Sequence, residues 1–184
     1  MTAATLPDRK AGDTRRYWVL ATVTLATLLF AMTVTISYVV LPQMQGSLSA
    51  TQDQIAWSVT FNLVATAVGT PASGWLANRF GRRALMIWCV TGFSVASLLC
   101  GTATTLEELV TYRVIQGIMG APITPVAQAI ILGTFPRRQH GLATAVWGMG
   151  VVCGPIIGPT MGGVIAEAYD WRGGVFMTFP VCVV

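Results

Sequence analysis

The ionisable residues of this chain are few, and where they stand matters more than how many there are. The acids are Asp8, Asp13, Asp53, Glu107, Glu108, Glu167 and Asp170, and none falls inside a long apolar run. Among the bases, Arg113 is the exception, because it stands within the apolar stretch Leu109–Pro136. A buried guanidinium costs roughly 3 kcal/mol or more unless it is paired or hydrated. As a fixed cation it could accept an anionic group or tune a neighbouring proton site. Two readings are open. Arg113 lies little more than a turn inside its run, so its long stem could carry the charge to a polar boundary. Alternatively it faces an aqueous cavity, with Gln116, Gly117 and Gly120 on the following turns. The lone histidine, His140, sits beside Arg137 and Arg138 and reads as a solvated loop residue. The four cysteines (Cys89, Cys100, Cys153, Cys182) lie scattered in apolar runs without CxxC spacing, and read as packing residues. No nucleophile–base pair, metal cluster or phosphate loop is visible, so the chain reads as a non-enzyme that needs no cofactor and no metal.

A second pattern is built from glycine. In Gly148–Gly163, Gly150, Gly154, Gly158 and Gly162 recur every four residues, and Pro155 and Pro159 each follow one of them. In water this would be a poor helix. In a bilayer every backbone group must be satisfied internally, so an apolar segment of this length is driven to helix. Small residues four apart then let another helix approach closely. The two prolines remove two backbone bonds and permit a bend. The stripe is either a packing face with no further role or a surface along which helices move.

The elements that position these groups follow from composition. Hydrophobic residues make up 54% of the 184 and charged residues only 10%, against about 25% charged in a soluble domain. The partner of such a chain is the lipid bilayer. Charges divide it into apolar spans at Tyr17–Val40, Ile55–Ala77, Ala84–Leu106, Leu109–Pro136 and Gly141–Ala166. Each exceeds the roughly 20 residues needed to cross the hydrocarbon core. A sixth, Gly173–Val184, is too short to cross, so the chain reads as cut short inside a helix. The expected fold is an all-α membrane protein with five full transmembrane helices and a truncated sixth. Residues 1–16 form a polar tail, and the run after Arg15-Arg16 is too long for an export signal.

Lys and Arg set the orientation. Arg9, Lys10, Arg15 and Arg16 precede the first span. Arg79, Arg82 and Arg83 follow the second, and Arg137 and Arg138 follow the fourth. Only Arg172 falls on the opposite side, which puts the N-terminus in the cytoplasm. The outer loops are Gln43–Gln54, the turn at Glu107–Glu108 and Glu167–Arg172. Capping boxes Thr51-x-x-Gln54 and Thr105-x-x-Glu108 open two of the helices. The basic residues follow topology rather than forming one patch, which excludes a nucleic-acid partner.

Three stretches together resemble the signature motifs of the major facilitator superfamily. Gly74–Arg83, with Gly74, Asn78, Arg79, Gly81, Arg82 and Arg83, is similar to the loop motif between helices two and three. Arg113-x-x-Gln116-Gly117 resembles the fourth-helix motif. Gly150-x3-Gly154-Pro155-x2-Gly158 resembles the fifth-helix motif of drug antiporters, and Gly162 extends it. The resemblance is to the fourteen-helix drug:proton antiporters of the EmrB and QacA type. It covers roughly residues 17–184, including Leu41-Pro42, Trp57, Trp171-Arg172, Phe176 and Pro180. The loop motif usually has Asp where Asn78 stands, and the first helix typically has Asp near Thr33 and Asn at Tyr38.

The resemblance implies the N-terminal bundle, residues 17–184, of a multidrug exporter in a bacterial inner membrane, working by alternating access and proton-coupled in the full-length parent. Its fifth helix would slide against the missing C-terminal transmembrane half through the glycine face. Its substrates would be small amphipathic molecules, and a periplasmic membrane-fusion adaptor would be a partner. Candidate cavity residues are the polar positions Thr33, Ser37, Tyr38, Asn62, Gln116 and Gln128 in apolar spans. The alternative is a truncated membrane fragment without transport activity.

Overall fold

The computed structural model describes residues 9–47 and 51–169. They form α1 (Arg9–Val39), α2 (Leu41–Ser47), α3 (Gln52–Phe80), α4 (Arg82–Thr102), α5 (Leu106–Gly120), α6 (Ile123–Thr134) and α7 (His140–Tyr169), with a short 3-10 turn at Arg137–Gln139. The fold is all-α. Among the described residues, five stretches are long and apolar enough to cross a membrane: Thr14–Val39, Gln52–Phe80, Arg82–Thr102, Leu106–Thr134 and Arg137–Gly163. The sixth span expected at Gly173–Val184 lies outside the described residues.

Several boundaries differ from the sequence reading. The first helix begins at Arg9, so the second half of the polar tail is helical. No proline interrupts Arg9–Arg16, and the long apolar run propagates the helix backward through Gly12. Part of the first outer loop is helix α2. The third span ends at Thr102, because Thr105 caps the next helix and needs an extended residue there. Helix α7 continues to Tyr169 into the expected Glu167–Arg172 loop. The fourth span is two helices, broken at Ala121-Pro122. Pro122 and Pro125 remove donors from consecutive turns, and the Val126 amide, donating to Pro122 O, closes the first turn of α6. Pro155 and Pro159 leave α7 continuous. Both capping boxes are formed, with Gln54 N donating to Thr51 Oγ1 at 3.4 Å and Glu108 N to Thr105 Oγ1 at 3.3 Å.

The contacts reveal direction. Arg113 and Gly117 on α5 meet Asn62 and Thr66 on α3, so these helices run parallel. Gly150, Gly154, Gly158 and Gly162 on α7 meet α1 in rising order from Thr24 to Ile36, so these two are parallel as well. Against α5 the order inverts: Ser37 lies by Arg113 and Phe30 by Gly120, and α4 does likewise with Ser97 by Gln116 and Phe93 by Gly120. Alternating up–down crossings produce this pattern. The core forms two apolar layers. One contains Leu20, Val23, Leu85, Phe93, Ile123 and Ile131, and the other contains Ile36, Val40, Ile55, Cys100 and Leu109. Along α4 and α5 the buried polar residues Ser97, Arg113 and Gln116 fall between the two, and Ser37 of α1 meets them from the second layer.

Candidate functional site

Arg113 does not reach for a boundary. It is 4% exposed, and its guanidinium turns into the bundle. Nη1 donates to Ser37 Oγ at 2.7 Å and to Gln116 Oε1 at 3.0 Å. Gln116 is oriented by donating Nε2 to Ser97 Oγ at 2.6 Å, and Ser97 in turn donates to Phe93 O. Ser37 donates to Thr33 O at 2.7 Å. Asn62 anchors the same turn of α5 from outside by donating Nδ2 to Arg113 O at 2.7 Å. Residues of α1, α3, α4 and α5 thus meet at one cation. Buried groups of this kind persist in an apolar interior only when each is hydrogen-bonded. One atom is not: Arg113 Nε is buried with no hydrogen-bond partner.

Beside the guanidinium lies a cleft lined by Thr33, Ser37, Tyr38, Asn62, Arg113 and Gln116 together with Val34, Val59 and Phe93. Its volume is about 10 Å³, roughly one water molecule. Five of the six candidate cavity residues therefore share one wall. Tyr38, half exposed, sits at the rim. Gln128 does not belong to the group and stands exposed on α6.

Two glycines allow α5 to carry this cluster. A Cβ on Gly117 would lie 2.5 Å from Asn62 O, and one on Gly120 would lie 2.5 Å from the Phe30 ring. Phe30 packs edge-on against Phe93, ring centroids 5.3 Å apart, beneath the cleft.

The glycine stripe of α7 is spoken for within this chain. A Cβ on Gly154 would stand 2.8 Å from Ala31 Cβ and 2.9 Å from Leu28 O. One on Gly150 would strike Thr24, and one on Gly158 would strike Thr35. The expectation that this face slides against a second bundle is corrected: α1 covers it. Four-residue spacing encodes a close contact but not the identity of the partner. Pro155, next to Gly154 in the helix, is exposed.

The Gly74–Arg83 stretch closes α3 and opens α4. Gly81 has φ +83, a left-handed backbone that glycine adopts without strain, and its amide donates to Ala77 O. Arg82 Nη1 donates to Ala129 O at 2.9 Å, tying α4 to α6. The Arg79 guanidinium lies 5.8 Å from the Trp75 ring centroid. Asn78 and Arg83 are exposed. A Cβ on Gly74 would meet nothing within 4 Å. His140 is half-buried rather than solvated: its Nε2–H donates to Phe135 O at 2.7 Å, where the chain turns into α7. Of the cysteines, Cys89 and Cys100 are buried, whereas Cys153 is exposed on α7 and is not a packing residue among the described helices.

Sequence reading missed Ser97, the residue that orients Gln116, and Gly69, where a Cβ would lie 2.8 Å from Ala121 Cβ. Both carried signals. Ser97 is a polar residue in an apolar span, and Ala65, Gly69 and Ser73 are small residues four apart.

The family model described as Major Facilitator Superfamily matches residues 23–184. The multidrug export protein EmrB of Escherichia coli K12 is 37% identical over 159 residues, which are 86% of this chain and 31% of that protein. The fatty acid resistance protein FarB of Neisseria gonorrhoeae is 35% identical over 167 residues, 91% of this chain and 33% of that protein. The chain thus spans about a third of the length of the curated relatives it matches. Among solved structures, the inward-open xylose transporter XylE of E. coli superposes with a TM-score of 0.80 at 18% identity, over 91% of this chain and 46% of that one. A bacterial homolog of the human lysosomal transporter Spinster gives 0.76 at 24% identity, over 92% and 43%.

Proposed function

The chain belongs to the major facilitator superfamily, and from that membership we propose that it supplies the N-terminal bundle of a multidrug exporter working by alternating access. Two bundles rock about a site near the midplane in such carriers. The observation that carries this reading is the buried Arg113 cluster, a polar centre held by four helices between two apolar layers. Multidrug export and fatty acid resistance, the properties that name EmrB and FarB, both concern small molecules that this chain's counterpart would carry out of the cell. The Gly74–Arg83 and Arg137–Arg138 ends face the cytoplasm of a bacterial inner membrane, following the positive-inside rule. The second bundle, and a periplasmic membrane-fusion adaptor, are its partners.

Coupling to protons would need a titratable group in the membrane. The spans of this chain contain no Asp or Glu away from their ends, so that group belongs to the second bundle. The test expresses the protein from its own gene in a host stripped of its multidrug exporters. Accumulation of amphipathic dyes should fall relative to an empty vector, rise again with a protonophore, and stay high for Arg113→Ala present at normal membrane levels. Accumulation equal to the empty vector for the unaltered protein would sink the exporter reading. The 184 residues alone, reconstituted in proteoliposomes, should not transport, since five spans provide only one side of the rocking pair. This is the sense in which a non-transporting fragment remains the second reading.

A further inference from the structure

The cluster around Arg113 is rich in acceptors and short of one bond. Ser37 and Ser97 each spend their hydroxyl proton on a carbonyl of their own helix, Thr33 O and Phe93 O. What they turn toward the cluster is therefore lone pairs: Ser37 Oγ accepts from Arg113 Nη1, and Ser97 Oγ accepts from Gln116 Nε2. With its amide nitrogen committed in this way, Gln116 presents Oε1 to the guanidinium. Asn62 spends Nδ2 on Arg113 O, which leaves Oδ1 to accept. Each of these oxygens has two lone pairs, so Ser37 and Gln116 can accept once more. Against these acceptors stands one buried donor without a partner, Arg113 Nε. Ser37, Gln116, Asn62 and Arg113 all wall the same cleft, and Val34, Val59 and Phe93 close it with apolar surface.

A ligand for this cleft must accept from Nε and give protons to the oxygens around it. An ammonium has no lone pair for Nε. A bare anion has no proton for Ser37, Gln116 or Asn62, and would sit against their lone pairs. A water molecule accepts and donates, makes about three hydrogen bonds in a buried site, and needs roughly 10–15 Å³. The cleft offers about 10 Å³. We propose that it is a binding site for one ordered water, which accepts from Arg113 Nε and donates to the oxygens of Asn62 and of Ser37 or Gln116. The guanidinium is then hydrated in place, inside the bundle, rather than paired with an anion. The water completes the bonding of a cation that four helices already hold, at the cost of ordering one solvent molecule. The site is a property of the cluster and stands apart from the exporter reading.

The test uses the full-length protein in lipid nanodiscs, equilibrated in heavy-oxygen water and exposed to a short X-ray pulse. Hydroxyl radicals born from a resident water oxidise the side chain beside it. Phe93 walls the cleft and is only 3% exposed, so radicals from bulk solvent do not reach it. Phe93 should take up the heavy-oxygen label. The label should be lost in at least one of Val34→Ile and Val59→Ile, each of which adds a methyl group at the cleft wall and takes the water's space. Labelling of the exposed Trp57 should not change. An unlabelled Phe93 in the unaltered protein overturns the proposal, and so does equal labelling in both filled variants. A second measurement needs no variant. A density map fine enough to show waters should carry one peak within about 3 Å of Nε, and crystals soaked in bromide should give no anomalous signal there. A bromide peak at that position would make the site an anion site, and Nε bonded directly to a protein oxygen would leave nothing for a water to do; either result overturns the proposal. Neither readout depends on export.

Discussion

Two helix pairs in this bundle are packed through glycine, yet they are held in different ways. Along α1–α7, four glycines at four-residue spacing bring the backbones together, and a side-chain bond from Trp147 Nε1 to Thr27 Oγ1 at 3.1 Å crosses beside them. Along α3–α5, Gly69 and Gly117 do the same, but Asn62 and Thr66 also donate across to the carbonyls of Arg113 and Gly117. A steric seam repeats itself: shifting α7 by four residues, about 6 Å, presents the next glycine to the same ridge. A hydrogen-bonded seam has one register. The difference teaches that the pair holding the Arg113 cluster is locked by directional bonds, whereas the pair flanking it relies on shape.

Substitutions can break or sharpen that contrast. The largest effect is expected for Gly154→Leu. The new side chain would collide with the α1 backbone at Leu28 O, so α7 should detach at a cost of about 3 kcal/mol or more. Unfolding in mixed micelles should show it, and an unchanged midpoint would mean that α7 is not held by shape. Next comes Gly117→Ala. Its Cβ would press on Asn62 O, and a loss of about 1–3 kcal/mol is expected. Asn62→Ala keeps the steric fit and removes one directional bond, so it should cost about 0.6–1.7 kcal/mol. No loss there would erase the claimed difference between the seams. The smallest effect belongs to Gly148→Ala and Gly163→Ala on α7. A Cβ meets nothing within 4 Å at either position, so stability should stay within about 1 kcal/mol or rise. A loss at Gly148 equal to that at Gly154 would show that the four-residue stripe is no different from its flanks.

The locations of the helices were largely legible. Long apolar runs have one backbone solution in lipid, and the capping boxes at Thr51 and Thr105 are local, since both partners lie within one turn. Boundaries were less legible where helix could spread into polar residues, as at Arg9, or where an apolar run hid a break, as at Ala121-Pro122. The candidate site was half legible. Polar residues in apolar spans marked Thr33, Ser37, Tyr38, Asn62, Arg113 and Gln116, and the structure brings them together. The same signal also marked Gln128, which stands exposed, and overlooked Ser97.

The sequence by itself determined that this chain crosses a membrane five times in the described residues, with its basic residues toward one end and four glycines on one helical face. These follow from composition and period, which act locally. Only the tertiary structure decided which helix those glycines meet, that Arg113 turns inward instead of toward a boundary, and that its Nε is left without a partner. Each of these depends on residues 76 to 126 positions apart in the chain arriving at the same depth, as Arg113 does with Ser37 and Gly150 with Thr24. Periodicity along one helix specifies a face; it has no information about the face opposite.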